Sequence, residues 1–286
     1  MFIIIGAAVV VVGVLGGFII EGGPVLILFQ PAELLIIGGA AAGSILIATP
    51  LKVLKGLVAR LPAMLAGSSF SKESYLEALA LLYEVFLNAK KNGYIALEQD
   101  VSEPEKSPIF SKYPGILKNH HGLNFMCDSI KLLVDGSVSP TQLEEMMDAE
   151  LETHHEEGAR HPSILSKVGD SLPGLGIVAA VLGVVITMQA INGPPEEIGH
   201  KVAVALVGTF VGILCCYGFM QPLAMNMESL GNDEAKFLHC LKAGILAFAN
   251  GSAPIVAVEF SRRVIFSYDR PSSDEVEAAC KGVMAR

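Results

Sequence analysis

Long apolar runs without charge alternate with polar segments along this chain of 286 residues. Four runs lack Asp, Glu, Lys, Arg and His: residues 2–20, 34–51, 171–195 and 202–227. Each is long enough to cross a hydrocarbon core of about 30 Å as an α-helix. The pattern therefore predicts four transmembrane helices, arranged as two hairpins with a long polar insert between them.

The polar segments show helical spacing and no sustained alternation of the kind that a strand needs. Ser71 is a predicted helix N-cap, Asn92-Gly93 a predicted helix end, and Ser139 with Gln142 a predicted capping box. Four apolar residues at helical spacing predict that the fourth span continues as a helix beyond the bilayer: Phe237, Leu241, Ile245 and Phe248.

The predicted fold class is an all-α integral membrane protein. Transmembrane helices 1 and 2 occupy residues 1–51, a helical cytoplasmic domain residues 52–170, transmembrane helices 3 and 4 residues 171–227, and a helical cytoplasmic tail residues 228–286. The composition agrees, with 52% hydrophobic and 17% charged residues. The N-terminal run has no basic n-region and no small-x-small cleavage site, so it is interpreted as a span and not as a signal peptide.

Charges in the loops predict the orientation. Lys52, Lys55 and Arg60 directly follow the second span, whereas the two short connections carry Glu21, Glu33, Glu196 and Glu197. The positive-inside rule therefore places both termini and the long insert in the cytoplasm. The net charge of -9 argues against nucleic acid as a partner and favours a basic protein.

The middle of each predicted span lacks ionisable side chains. Such groups are costly in a bilayer and are kept where ions or protons bind. If this chain conducts ions, the protonatable group must come from another subunit. Gly39 with Gly43, and Gly208 with Gly212, have GxxxG spacing, for which packing among the four spans is the favoured interpretation.

Two prolines and two threonines are the other notable residues of the spans. Pro173 is predicted to lie in the first turn of the third span, and Pro222 to kink the end of the fourth. Thr187 and Thr209 are the polar side chains best suited to face a pore, although bonding to the carbonyl one turn back competes with that role.

No catalytic, cofactor or metal site is predicted. His120-His121 and His154-His155 are pairs of sequence neighbours, which point to different sides of a helix, and no Cys or Asp completes a ligand set. The five cysteines show neither metal spacing nor a disulfide framework. Nucleophile elbows, phosphate loops and Rossmann glycines are missing from the sequence.

Several segments together resemble the flagellar stator members of the MotA/TolQ/ExbB proton channel family. They are residues 168–185, residues 207–214 with the following Tyr-Gly-Phe and Pro222, and residues 97–98, 148–154 and 257–260. The resemblance implies a multi-pass protein of the bacterial inner membrane that forms a ring of five copies around two copies of MotB. MotB would contribute the protonatable aspartate that this chain lacks, and membrane lipid would surround the ring.

The resemblance also implies roles for individual residues. Pro173 and Pro222 would lie at the moving interface of the ring. Thr209 and Ala180 would line the channel, where sodium-driven relatives carry threonine in place of Ala180, so a proton is the expected ion. Glu150 and Asp170 are candidates for the proton path.

Charged residues of the insert would press on the rotor's switch-complex protein FliG. The matching positions are Lys90 and Glu98, with Lys91 as a further positive charge. Lysine stands here where arginine is usual, which keeps the sign but loses bidentate geometry. The sequence alone leaves two alternatives: an ExbB- or TolQ-like energiser, which generally has three spans, and a secondary transporter, which normally needs ionisable groups of its own.

Overall fold

The computed structural model describes residues 2–67, 70–189 and 191–284, and this part of the chain is helical without any strand. The predicted all-α fold class is confirmed. Within these described ranges the α-helices have the following bounds: α1 Phe2–Ile20, α2 Pro31–Ala48, α3 Leu51–Ala66, α4 Lys72–Asn92, α5 Glu98–Ser102, α6 Pro114–Lys118, α7 His120–Asp135, α8 Pro140–Met188, α9 Pro195–Cys215, α10 Gln221–Ala249, α11 Pro254–Val264 and α12 Ser273–Met284.

The chain divides into two compact units. We call Met1–Gly67 with Glu157–Leu230 the membrane unit, and Ser68–Glu156 with Gly231–Arg286 the insert–tail unit. Helices α8 and α10 each contribute residues to both units. The two units are therefore each built from two separate stretches of sequence.

Four helical segments are long and apolar enough to cross a membrane, as predicted. They are Phe2–Ile20, Val25–Ala48, Pro140–Met188 and Pro195–Ala249. The second run ends at Ala48 and not at Leu51, because Thr49 and Pro50 have extended backbone and α3 begins after them. The fourth helix continues past its apolar part to Ala249 through a π-helical turn at Cys216–Met220, which confirms the predicted extension.

The prediction that Pro173 lies in a first helical turn is wrong. Helix α8 begins at Pro140, and Pro173 lies inside it. A proline within a helix costs about 3 kcal/mol, so the helix must be held by its surroundings. Leu172 and Gly176 supply this support, since both are packed against α9 on either side of the proline.

Both predicted capping sites of the insert–tail unit are confirmed. Ser71 precedes α4 and its backbone N–H donates to Ser74 Oγ at 2.8 Å. Ser139 precedes α8, where its backbone N–H donates to Gln142 Oε1 at 2.9 Å and its Oγ accepts from the Gln142 N–H at 3.2 Å. These side chains satisfy donors that the first helical turns leave without intrahelical partners.

The core of the insert–tail unit forms around α4. The ring of Phe86 on α4 stacks on that of Phe248 on α10, with the ring centroids 4.5 Å apart. The ring centroids of Tyr75 and Phe237 are 5.6 Å apart. The predicted apolar face of α10 is buried in this core, as is the face of α8 that carries Leu143, Met147 and Leu151. Helices α11 and α12 pack against α4 and complete the unit.

Candidate functional site

A seam of small residues joins α8 and α9 within the membrane unit. A methyl group added at Gly176 would lie 2.6 Å from the carbonyl oxygen of Gly208, and one added at Gly212 would lie 2.5 Å from the carbonyl oxygen of Leu172. Side chains larger than hydrogen are excluded at these distances. The pair Gly208 and Gly212 therefore packs within the chain, whereas a methyl group at Gly39 or Gly43 would meet no atom within 4 Å.

This seam makes a direct prediction about stability. Gly176→Ala places a methyl group against the backbone of α9, so the helices must separate, at a cost of about 1–3 kcal/mol. We expect the purified chain in detergent to lose several degrees of melting temperature. Gly158→Ala is the matched control on the same helix, since its methyl group meets nothing within 4 Å and alanine favours helix. Equal melting temperatures for the two variants would contradict the packing of the seam.

Three of the predicted coupling residues lie along this seam. Pro173 and Ala180 are two turns apart on α8, and both are half-buried. Thr209 on α9 is also half-buried, and its Cα would lie 3.2 Å from a methyl group at Gly176. Pro222 differs, because it is exposed at the start of α10, directly after the π-helical turn.

A hydrogen bond between Asp170 and Gln221 links the segment before Pro173 to the segment before Pro222. Gln221 Nε2 donates to Asp170 Oδ1 at 2.6 Å, and Ser166 Oγ donates to Gln221 Oε1 at 3.2 Å. Asp170 precedes Pro173 by one helical turn, and Gln221 is the residue before Pro222. The sequence interpretation missed Gln221, because a glutamine in an apolar run carries no charge to mark it.

Glu33 is a second residue whose position the sequence did not predict. It was assigned to a short connection but lies in the first turn of α2, where it is buried. A methyl group at Gly208 would collide with its Oε2, and this oxygen has no hydrogen-bond partner among the described residues. Pro31 at the first helical position was the available signal, since it predicts that Glu33 lies within the helix.

The charged residues predicted to contact the rotor lie around one turn of the insert–tail unit. Lys90 and Lys91 are exposed in the last turn of α4, and Glu98 is exposed at the start of α5. Gly93 follows the last residue of α4 and has φ +83°, a conformation that other residues rarely adopt. None of the three charges forms an ion pair within residues 2–67, 70–189 and 191–284, so all are available to a partner.

The other predicted polar residues have simpler surroundings. Glu150 is exposed on α8 in the insert–tail unit, while Asp170 belongs to the membrane unit. Thr187 is buried and its hydroxyl donates to the carbonyl of Gly183 at 2.8 Å. This is the bond to the carbonyl one turn back that competes with a channel role for threonine.

Residues 257–260, one of the segments that resemble the stator family, contain Glu259, whose charge is neutralised by neighbouring arginines. Glu259 accepts hydrogen bonds from Arg262 at 2.7 Å and from Arg263 at 2.8 Å. The bonds from Arg262 contribute most, and together with Arg263 they lower the pKa of Glu259 to about 2. Glu259 therefore stays ionised at physiological pH and is occupied within the tail.

Two histidines from different sequence pairs converge with a glutamate. His121 on α7, His154 on α8 and Glu234 on α10 bring their ligand atoms within 4.8 Å of one another. The prediction of no ligand set overlooked this cluster. One histidine of each pair meets one of the other pair, and the residue that completes the cluster is a glutamate far along the chain.

Comparisons with known proteins agree with this architecture. The chain matches the model of the Motility protein A N-terminal family over residues 4–93 and that of the MotA/TolQ/ExbB proton channel family over residues 118–236. Solved structures of C. jejuni MotAB and of the flagellar MotAB stator complex from Bacillus subtilis share its fold, with TM-scores of 0.79 and 0.76 at 23% and 22% identity. Each likeness covers 94% of this chain and 98% of the other.

Relatives that are closer in sequence have motility names. The chain is 40% identical to Motility protein A of Salmonella typhimurium and to that of Escherichia coli, over 99% of this chain and 96% of each relative. It is 36% identical to Chemotaxis protein LafT of Vibrio parahaemolyticus over 96% of both chains. These names favour motility over an ExbB- or TolQ-like role. The chain belongs to the MotA/TolQ/ExbB proton channel family and, within it, to the motility protein A proteins.

Proposed function

We propose that this chain is the ring-forming subunit of a proton-driven flagellar stator. The observation that carries the proposal is the α8–α9 seam, where Thr209 lies against Gly176, between Pro173 and Ala180 along α8. Neither helix carries an ionisable side chain between these residues. A wall of this kind can surround a titrating group but cannot replace it. The family resemblance implies that the proton carrier is an aspartate on the single membrane helix of a MotB-type partner.

Protonation of that aspartate changes its preferred contacts with the surrounding wall. We propose five copies of this chain around two copies of the partner, with Pro173 and Pro222 at the interface that moves. One charge crossing 100 mV releases about 2.3 kcal/mol, several times thermal energy, so each ion can bias one step of rotation. Glu33, with an unpartnered oxygen beside the seam, and Asp170, bound to Gln221, are groups that can hold a proton along the path.

The proposed location is the bacterial inner membrane. The proposed orientation follows the positive-inside rule and places both termini and the insert in the cytoplasm. Lys90, Lys91 and Glu98 then face the rotor protein FliG. Their exposure and freedom from ion pairs within the described helices support this role. Exposed charges that are unpaired in the free chain lose no internal partner when they bind another protein.

The proposed ion is the proton because position 180 is alanine. Sodium requires several oxygen ligands, and a methyl group supplies none. Thr187 does not compensate for this in the single chain, since it is buried there. Position 180 therefore supplies no oxygen ligand for sodium, which favours the proton.

Purification with the MotB-type partner tests this assembly. We expect native mass spectrometry of the co-expressed, detergent-solubilised complex to give five copies of this chain with two of the partner. Expression of the complex with any plug segment deleted from the partner should acidify the cytoplasm. Replacing the partner's membrane aspartate by asparagine should abolish acidification without changing the mass. A chain that purifies alone, or acidification that survives this replacement, would contradict the proposal.

A further inference from the structure

We propose that His121, His154 and Glu234 form a binding site for a divalent transition-metal ion, with zinc as the best fit. The site lies entirely within the insert–tail unit. His121 is in the first turn of α7, His154 is in the part of α8 that belongs to this unit, and Glu234 is in the corresponding part of α10. None of its three residues is among those proposed to couple ions or to contact the rotor.

The three ligand atoms have the spacing of a metal coordination sphere. His121 Nδ1 lies 3.3 Å from His154 Nε2 and 2.8 Å from Glu234 Oε1, and His154 Nε2 lies 3.4 Å from the same oxygen. Zinc bonds of about 2.0–2.1 Å in a tetrahedron place ligand atoms about 3.3–3.4 Å apart. Two of the three distances already have this value, and the third requires a small shift of one side chain.

Hydrogen bonding alone leaves one contact of the cluster unsatisfied. When each imidazole donates its N–H to Glu234 Oε1, the two ring nitrogens cannot also hydrogen-bond to each other across 3.3 Å. A metal ion takes a lone pair from all three atoms at once. Nitrogen and carboxylate donors in this combination suit zinc, and also its neighbours copper and nickel, better than magnesium or calcium.

The surroundings allow an ion to enter and remain. The His121 side chain is 57% exposed, whereas those of His154 and Glu234 are 20% and 22% exposed, so the site is open on one side and supported on the other. Water can fill the remaining coordination position. Because the ligands come from α7, α8 and α10, a bound ion would link three helices and stabilise the folded insert–tail unit.

The test is metal binding by the full-length chain, purified in detergent, with its affinity tag removed and metals stripped by chelation. We expect one Zn²⁺ per chain by competition with a chromophoric chelator, and a Co²⁺ absorption spectrum of a tetrahedral site. His154→Ala and Glu234→Gln should weaken Zn²⁺ binding at least tenfold. His120→Ala and His155→Ala are matched controls, since these exposed neighbours lie outside the cluster, and both should bind as wild type does.

A second readout separates binding from folding. Zn²⁺ should raise the melting temperature of wild type and of both control variants, but leave that of Glu234→Gln unchanged. Glu234→Gln keeps the shape of the side chain, so its elution and helical content in the absence of metal should match wild type. Absence of Zn²⁺ binding by wild type, or equal binding by His154→Ala, would overturn the site. Neither result depends on the partner or on motility.

Discussion

Cells that carry Pro173→Ala together with Pro222→Ala should assemble flagella but fail to swim. Pro173 interrupts the hydrogen-bond ladder inside α8, and Pro222 interrupts that of α10 directly after a π-helical turn. Alanine restores the missing N–H in both helices and favours straight helix. The chain should therefore stay folded while the interface loses the flexibility that stepping requires. Swimming speed in a strain lacking this gene, with flagella counted by electron microscopy, measures the effect.

Pro162→Ala is the control for this pair. Pro162 also lies inside α8 and is buried, but it precedes Leu172, where the contacts described for the seam begin, so its replacement should leave swimming unchanged. Immunoblots of membranes should show equal amounts of all variants. Swimming of the double variant at wild-type speed would remove both prolines from the coupling interface.

Reversing the charge of the two lysines at the end of α4 should abolish torque. Lys90→Glu with Lys91→Glu changes the local charge by four units beside Glu98, so attraction to a negatively charged rotor surface becomes repulsion. Both side chains are exposed, so the change should cost little stability. We expect swimming to fall at least tenfold, while proton flux through the unplugged complex stays at the wild-type level.

Lys118→Glu is the matched control, since Lys118 is an exposed lysine of the same unit in α6. It should swim normally. If the contact is direct, reversing the charge of acidic residues on FliG should restore swimming to the variant with Lys90→Glu and Lys91→Glu. Loss of proton flux in that variant, or equal loss of swimming with Lys118→Glu, would show that these lysines act on the stator itself and not on the rotor.

The elements predicted best are those that local chemistry determines. Apolar runs identified the four spans, and capping residues gave the starts of α4 and α8, because both signals lie within a few residues of the element they define. Pro173 failed as a boundary for the opposite reason. Whether a proline starts a helix or lies inside one depends on tertiary packing, and the contacts of Leu172 and Gly176 with α9 decided it.

The unpredicted parts of the site depend on contacts between distant segments. Gln221 meets Asp170, and Glu33 meets Gly208, only because α2, α8 and the fourth helix fold together. The cluster of His121, His154 and Glu234 likewise draws on three helices. Residue type showed that Asp170 could carry chemistry, but spacing along one sequence could not identify its partner.

The central claim is that this chain is a proton-driven stator subunit, and one measurement tests it most directly. This gene and any second stator gene are deleted from a motile strain, and the deletion strain is complemented with the wild-type chain. Swimming is then recorded in buffer with and without sodium. The account predicts that the deletion strain has flagella but does not swim, and that complementation restores equal speed in both buffers, with collapse on addition of a protonophore. Swimming that requires sodium would contradict the proposed ion, and swimming without the gene would contradict the stator function.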